Sequence, residues 1–198
     1  MKRLINIDTI DESIILLKKV ILDKNCVNMN LSNIKGYLGE LLVAKKLSNY
    51  TKNVFLIGNQ SGYDIELPDT GIKIDVKYST IKSEIKNCPK YWGWALKQKS
   101  KKRQIKCSHF VCVAANDNFD VEAFYVIKKV HLNKFPKSAM RQFKNVERGF
   151  CLLHNKSMNF KIIDKSLRKY FKDCEILIQK DLMIKIPRSG NLLVALKN

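Results

Sequence analysis

The order of apolar and polar positions along the chain divides it into segments of helical and of strand period. Residues 8–24 repeat apolar side chains at helical spacing and carry Asp11 and Glu12 in the first turn, where the helix dipole favours acids. Residues 30–47 repeat this period and predict a second helix. Shorter apolar runs of strand type follow at 53–57, 63–67, 72–78, 110–114 and 121–127. This order predicts a mixed α/β fold of the α+β type, with a central mixed β-sheet flanked by helices.

The remaining segments are more polar, and their pattern is less regular. Residues 80–106 form a basic stretch that we interpret as a loop. No internal repeat, low-complexity tract or Pro/Gly-rich linker divides the chain, so we expect one domain over residues 1–198. Beyond residue 128 the pattern predicts a basic helix or irregular segment at 137–147, an amphipathic helix at 165–172, and strands at 174–178 and 182–186.

The charge balance points to a polyanionic partner. Among 198 residues, 37 are Lys or Arg and 18 are Asp or Glu, which gives a formal net charge of +19. Such a surplus attracts nucleic acid, because each phosphate that a basic side chain neutralises releases a counterion. A membrane surface would favour one basic amphipathic helix, whereas here the basic residues are spread along the chain. Nucleic acid is therefore the expected partner, and a surplus that serves solubility alone is the alternative.

Membrane insertion and export are both disfavoured by the sequence. No apolar run approaches the ~18 residues that span a bilayer. Asp8, Asp11 and Glu12 occupy positions at which a signal peptide is apolar. The six cysteines lack the spacing of a disulfide framework, so reduced thiols are the default. We therefore predict a cytoplasmic protein without a membrane partner.

Cys107, His109 and Cys112 lie close together in the sequence and raise the question of a zinc site. They border or belong to an apolar run that we interpret as a buried strand. On a regular strand Cys107 and His109 share one face and Cys112 takes the other, which suits tetrahedral coordination poorly. Core cysteines are the preferred interpretation.

A predicted β-hairpin at residues 63–78 carries the candidate chemistry. Its turn, residues 68–71, reads PDTG, in which proline presets φ and glycine accepts a left-handed conformation. With the turn centred between positions 69 and 70, Asp64 faces Asp75 across the two strands at a Cβ separation of about 4.5–5.5 Å. Lys77 lies two residues beyond Asp75 and shares its face. We expect two carboxylates and one ammonium on a single patch.

This patch suits a divalent cation. Two facing carboxylates repel each other and destabilise a sheet unless a cation neutralises them. Converging oxygen ligands favour Mg²⁺, or Mn²⁺ as a substitute, and such ions also recruit phosphates and water. Lys77 beside the ion would stabilise the charge that builds on a phosphate and help to position the attacking water. In the alternative interpretation Asp64 only caps a turn and Lys77 only pairs with Asp75.

The segment Gly62-Tyr63-Asp64, a gap of ten residues and then Asp75-Val76-Lys77 resembles the bipartite signature of the PD-(D/E)XK nuclease superfamily. The match covers about residues 31–127, and Tyr63 stands where the family name has proline. The resemblance implies a restriction endonuclease-like catalytic core over this range, with residues from about 128 to 198 as a C-terminal elaboration. It also implies that Asp64 and Asp75 are metal ligands and that Lys77 is the catalytic lysine.

Two more site residues follow from the same resemblance. The segment Lys35-Gly36-Tyr37-Leu38-Gly39-Glu40 resembles the helix that brings an acidic residue to the active site of archaeal-type Holliday junction resolvases and some restriction endonucleases. Glu40 would be an accessory catalytic residue and metal ligand, and the carbonyl of Val76 would also contact the metal. The alternative for Glu40 is an exposed glutamate that pairs with Lys35 or Lys45 at helical spacing.

The basic stretch after the hairpin is the predicted nucleic-acid surface. Within residues 82–106, nine basic side chains accompany Glu84, the segment's acid, and aromatic residues are interleaved among them. Basic groups hold phosphates, and aromatic rings stack on bases or wedge a distorted duplex. For the two tryptophans the alternative is a place in the core or at a subunit interface. The predicted contact residues are Trp92, Trp94, Lys97, Lys99, Lys101, Lys102 and Arg103.

Together these features predict a Mg²⁺-dependent DNA endonuclease that hydrolyses phosphodiester bonds with metal-activated water. A restriction endonuclease and a Holliday junction resolvase both fit, and both classes normally act as homodimers. The alternatives are a basic nucleic-acid-binding module with the same fold but no catalysis, and an RNA-processing nuclease.

Overall fold

In the described residues, one short strand and two consecutive helices precede a run of strands. The computed structural model describes residues 2–4, 7–23, 30–57, 62–82, 91–98, 105–134 and 146–153. The helices are α1 (Ile7–Leu22) and α2 (Leu31–Ser48), and short 3₁₀ turns occupy Pro68–Thr70 and Lys129–Lys134. The strands are β1 (Lys2–Leu4), β2 (Phe55–Ile57), β3 (Ile65–Leu67), β4 (Ile72–Thr80), β5 (Tyr91–Gln98), β6 (His109–Ala115), β7 (Val121–Lys128) and β8 (Val146–Leu153).

The main sheet has six strands in the order β1-β2-β3-β4-β6-β7. Its β4–β6 pair is parallel and its other pairs are antiparallel, so the sheet is mixed. β5 and β8 form a separate antiparallel pair. The predicted mixed α/β fold with a central sheet and flanking helices is therefore confirmed.

Both faces of the main sheet are covered. α1 and α2 pack on one face, where Leu38, Leu47 and Ile74 are fully buried. β5 packs on the other face, against Phe110 and Cys112. Every residue of β6 is buried, which explains why its sequence is uniformly apolar instead of alternating.

The structure corrects several boundaries. β5 lies inside the basic stretch 80–106, which we interpreted as a loop. Its YWGWAL sequence has the aromatic character of a strand, and the surrounding lysines masked that signal. β1 had no sequence prediction, and β8 starts within the segment 137–147 that was predicted helical or irregular. The predicted helix at 165–172 and the strands at 174–178 and 182–186 lie outside the described residues.

The turn between β3 and β4 has the chemistry that its sequence predicts. Pro68 opens a single 3₁₀ turn, and Gly71 closes it in the left-handed region with φ of +65°. Asn53 Nδ2 donates to both carboxylate oxygens of Asp69 at 3.0 Å and ties this turn to the chain before β2. In the part of the chain that the structure describes, no helix is both long and apolar enough to cross a membrane.

Candidate active site

The β3–β4 hairpin sets two carboxylates opposite each other. Ile65 pairs with Ile74 and Leu67 with Ile72, so one further step along this register places Asp64 opposite Asp75, which confirms the predicted register. The backbone N–H of Asp64 donates to Ile74 O at 2.8 Å. Its carboxylate Oδ2 accepts the backbone N–H of Val76 at 2.7 Å. Asp64 is therefore held by hydrogen bonds at both its backbone and its side chain.

Lys77 and Asp75 form an ion pair on the same face of β4. Their side chains are 30% and 19% exposed, so the pair is partly buried. The alternate residues Ile74 and Val76 point to the opposite face and are buried beneath the helices. The strand thus has an apolar face that packs in the core and a charged face that carries the predicted site.

Helix α2, which packs on the other face of the sheet, holds a third carboxylate within electrostatic range of this patch. Gly39 lies so close to β4 that a Cβ there would stand 2.9 Å from the Cβ of Tyr78. The next residue, Glu40, is half-buried, and its pKa is raised to about 8, first by burial and then by the charges of Asp64 and Asp75. Glu40 therefore belongs to the Asp64–Asp75 cluster electrostatically. Of the two lysines that were its alternative partners, Lys45 pairs with Asp11 at 2.5 Å, and the Lys35 Nζ lies over the Phe119 ring at 5.3 Å from its centre.

Asp64, like Glu40, has a pKa above its ordinary value. Burial, followed by the charge of Asp75, raises the pKa of Asp64 to about 6, although the Val76 N–H and Lys77 oppose this shift. For Lys77, burial favours the neutral form, but the charge and hydrogen bond of Asp75 outweigh it, and the pKa is raised. Lys77 is therefore a cation at neutral pH and cannot serve as a general base there.

The donors that Asp64 and Asp75 offer to a cation are carboxylate oxygens. Among the described residues, no group of three or more His, Cys, Asp and Glu side chains is arranged to hold a metal ion. Mg²⁺ is usually bound through one or two carboxylates, with water and substrate phosphates completing its shell. Asp64 and Asp75 supply two carboxylates whose mutual repulsion a dication would relieve.

The two tryptophans do not lie where the nucleic-acid prediction requires them. Trp92 and Trp94 are 6% and 2% exposed and pack in the core between β5 and β6. Their indole Nε1 groups donate to Ala115 O at 2.9 Å and to Val113 O at 3.1 Å. Rings buried in this way present no face to a base, so the prediction of base contact is wrong for both, and the core alternative holds.

For the basic residues of the predicted nucleic-acid surface, contact with nucleic acid stays a prediction. Lys97 lies in β5 opposite Arg148 of β8, next to a register shift in this strand pair. The remaining members, Lys99, Lys101, Lys102 and Arg103, lie outside the described residues. For Val76 the structure gives a role to the backbone N–H, and metal contact by its carbonyl also stays a prediction.

Three residues on the charged face were missed by sequence reasoning. Glu66 of β3 lies opposite Lys73 of β4 in the same register that joins Asp64 to Asp75. The Lys73 Nζ lies 5.1 Å from the centre of the Tyr63 ring, and the Tyr63 hydroxyl lies 3.4 Å from Glu66 Oε2. The hairpin register would have found the Glu66–Lys73 pair, because its positions have the same sum as 64 and 75.

The cysteines near β6 are structural. Cys107 and Cys112 are free, buried thiols in one core cluster, and burial raises the pKa of both. The preferred interpretation as core cysteines is confirmed. The chain bends at Ser108, before β6 begins, so the expected placement of the two thiols on opposite faces is wrong.

Comparison with known proteins finds a likeness to solved structures and none to family models or curated proteins. No family model matches the chain, and no curated protein matches it. Among solved structures, the chain is similar to a bacterial homing endonuclease, I-Ssp6803I. The identity is 15%, the match covers 73% of this chain and 89% of that chain, and the TM-score is 0.42. A likeness at this level supports no statement about function, so any function must be inferred from the residues of the site.

Proposed function

We propose that this protein is a Mg²⁺-dependent DNA endonuclease of the PD-(D/E)XK type. The observation that carries the proposal is the single charged face on which Asp64 opposes Asp75, with Lys77 paired to Asp75. Glu40 is coupled to the same face from helix α2. These carboxylates are half-buried and close together in a protein of net charge +19. Such an arrangement lowers stability, because burial and like charge both disfavour the ionised forms, so its presence supports a functional role.

The residues have separable roles in this proposal. Asp64 and Asp75 hold the cation, Glu40 assists as an accessory ligand, and the Val76 backbone fixes the carboxylate of Asp64. A bound Mg²⁺ supplies Lewis acidity to a phosphodiester and activates water for its hydrolysis. Lys77, which stays charged, stabilises the negative charge that builds on the phosphate in the transition state.

The experiment compares cleavage of plasmid, linear duplex, four-way junction and RNA, each with Mg²⁺ and with EDTA. Discrete plasmid fragments would identify a restriction-type enzyme, and paired nicks in the junction alone would identify a resolvase. Cleavage of RNA alone would replace the DNA assignment. Sedimentation of the cleaving species tests the expected homodimer.

Two site variants and one matched control sharpen this test. Asp75→Asn and Lys77→Ala are expected to lower kcat by about 10²–10³-fold or more, the scale of losing one charge-stabilising group. Asp69→Asn makes the same charge change as Asp75→Asn, on the exposed turn of the same hairpin, and is expected to cleave normally. If all three variants cleave like the wild type, this face is not the active site.

Metal binding can be measured without activity. Mg²⁺ should raise the unfolding midpoint of the wild type and of Asp69→Asn, because a ligand that binds only the folded state stabilises it. Asp75→Asn should lose most of this shift. Nucleic-acid binding without metal-dependent cleavage of any substrate would leave the non-catalytic binding module as the function.

A further inference from the structure

We infer that Lys73 binds a backbone phosphate of the nucleic-acid strand that the site holds, next to the phosphate at Asp75. This inference rests on the proposed function, because it assigns a substrate contact beside the proposed cleavage position. Lys73 lies on β4, two residues before Asp75 and four before Lys77.

The three residues lie on one face of the strand. The pattern of burial along β4 alternates from Ile72 to Lys77, with the apolar residues buried and Lys73, Asp75 and Lys77 half-buried. Side chains two residues apart on a strand share a face and are about 6–7 Å apart. Lys73 is therefore too distant to act on the same phosphate as Lys77 and is well placed for a neighbouring one.

Ser108 anchors the backbone of Lys73, and an aromatic ring contacts its side chain. Its backbone carbonyl accepts the Ser108 N–H at 2.8 Å, and its own N–H donates to Ser108 Oγ at 3.0 Å. The ammonium rests over the Tyr63 ring, at 5.1 Å from the ring centre. A lysine that is already restrained loses less side-chain entropy when it binds a phosphate than a free surface lysine does.

The local charge explains why a lysine is useful here. Three carboxylates lie on this face, namely Asp64, Glu66 and Asp75, and in their ionised forms they repel a phosphate backbone. Lys73 lies opposite Glu66 and offsets its charge. The competing interpretation is that Lys73 serves only to neutralise Glu66, which predicts a stabilising role without any contact to nucleic acid.

The experiment measures binding in EDTA, where no metal-dependent cleavage occurs. Fluorescence anisotropy with a labelled duplex and a labelled single strand, each from 50 to 200 mM salt, gives the slope of log K against log salt. Removal of one phosphate contact is expected to reduce this slope by about 0.9 for the duplex and about 0.7 for the single strand. Lys73→Ala is expected to show this reduction and a several-fold weaker affinity, and Lys73→Arg is expected to retain the wild-type slope.

Two controls match the charge changes. Lys45→Ala removes a lysine that pairs with Asp11 in the helical layer on the other side of the sheet and should leave the slope unchanged. Glu66→Gln should bind more tightly than Asp69→Asn, which removes the same charge on the exposed turn. Lys73→Gln, compared by circular dichroism, guards against a misfolded alanine variant.

The result that would overturn the inference is a wild-type slope for both Lys73→Ala and Lys73→Gln, or an equal reduction in Lys45→Ala. No binding by the wild type would overturn it as well. The endonuclease proposal is tested separately. If the proteins bind with the expected slopes but the wild type cleaves no substrate, the endonuclease proposal is wrong and the Lys73 contact stands. If the wild type cleaves and the Lys73 variants keep the wild-type slope, the endonuclease proposal stands and the Lys73 contact is wrong.

Discussion

The two faces of strand β4 differ in what they contribute. The helix-side face is apolar and buried, so it stabilises the fold by removing surface from water. The other face is charged, and burial, followed by the charge of Asp75, raises the pKa of Asp64, so its ionised form is disfavoured there. The helix-side residues are Ile72, Ile74 and Val76, and the charged residues are Lys73, Asp75 and Lys77. One strand thus stabilises the protein through one face and holds a destabilised cluster in place through the other.

The largest expected difference in stability is between substitutions at two adjacent residues of β4, one on each face. Ile74→Ala removes a fully buried side chain from the helix-side core and should destabilise the protein by about 2–5 kcal/mol. Asp75→Asn should destabilise the protein by less than Ile74→Ala does, because relief of repulsion within the cluster partly offsets the loss of the partner of the partly buried Lys77. Urea unfolding of both variants at pH 7.5 measures the difference. An equal loss in the two variants would mean that the ion pair stabilises the fold as much as the core does.

The next effect concerns how the helix reaches the charged face. Gly39→Ala places a Cβ 2.9 Å from the Tyr78 Cβ, so the helix or the strand must move, at a cost of about 1–3 kcal/mol. Gly36→Ala is the matched control, since nothing lies within 4 Å of a Cβ there. In that position alanine should stabilise the helix by roughly 0.5–1 kcal/mol. Thermal unfolding compares the two, and a Gly39→Ala protein that is as stable as Gly36→Ala would contradict the close contact.

The same pair of variants tests the role of Glu40. A displaced α2 should separate Glu40 from Asp64 and Asp75, so Gly39→Ala should lower cleavage while Gly36→Ala leaves it unchanged. Loss of cleavage in both variants would show that the activity depends on helix flexibility instead of on the helix–strand distance.

A pH-dependent effect of about 1–2 kcal/mol is expected from Glu40→Gln. The pKa of Glu40 rises from 4.5 to about 8 on folding, so between these values the folded state keeps a proton that the unfolded state has lost. Stability therefore falls as pH rises through this window. Glu40→Gln should be more stable than the wild type at pH 8 and similar to it at pH 4, with an effect smaller than full linkage because Glu40 is only half-buried.

Urea unfolding across pH 4–8 checks this expectation. Glu12→Gln, on the exposed side of α1, is the control that removes a glutamate outside the cluster. If Glu40→Gln is destabilising at pH 8, the glutamate is stabilised in its ionised form, and its assignment to the acidic cluster is wrong.

Local rules predicted the hairpin well and its surroundings poorly. The PDTG turn fixed the register by itself, so the opposition of Asp64 and Asp75 was predictable from spacing alone. The burial of Trp92 and Trp94 was not, because aromatic residues among lysines suit both a core strand and a binding surface. Which of these forms is decided by the packing of β5 on β6, and a single sequence does not record that long-range contact.

The smallest expected effect tests whether β5 covers the sheet as a structural layer only. Trp94→Phe keeps an aromatic ring but removes the hydrogen bond to Val113 O, at a cost of about 1 kcal/mol. Trp92→Phe removes the matching hydrogen bond to Ala115 O and should cost a similar amount. Neither substitution should change the affinity for nucleic acid, measured by anisotropy at 25 °C where both variants are folded. If Trp94→Phe loses affinity for nucleic acid without a loss of stability, Trp94 belongs to the binding surface. β5 would then take part in binding, as the charged face of β4 is proposed to do, and would not be a structural layer only.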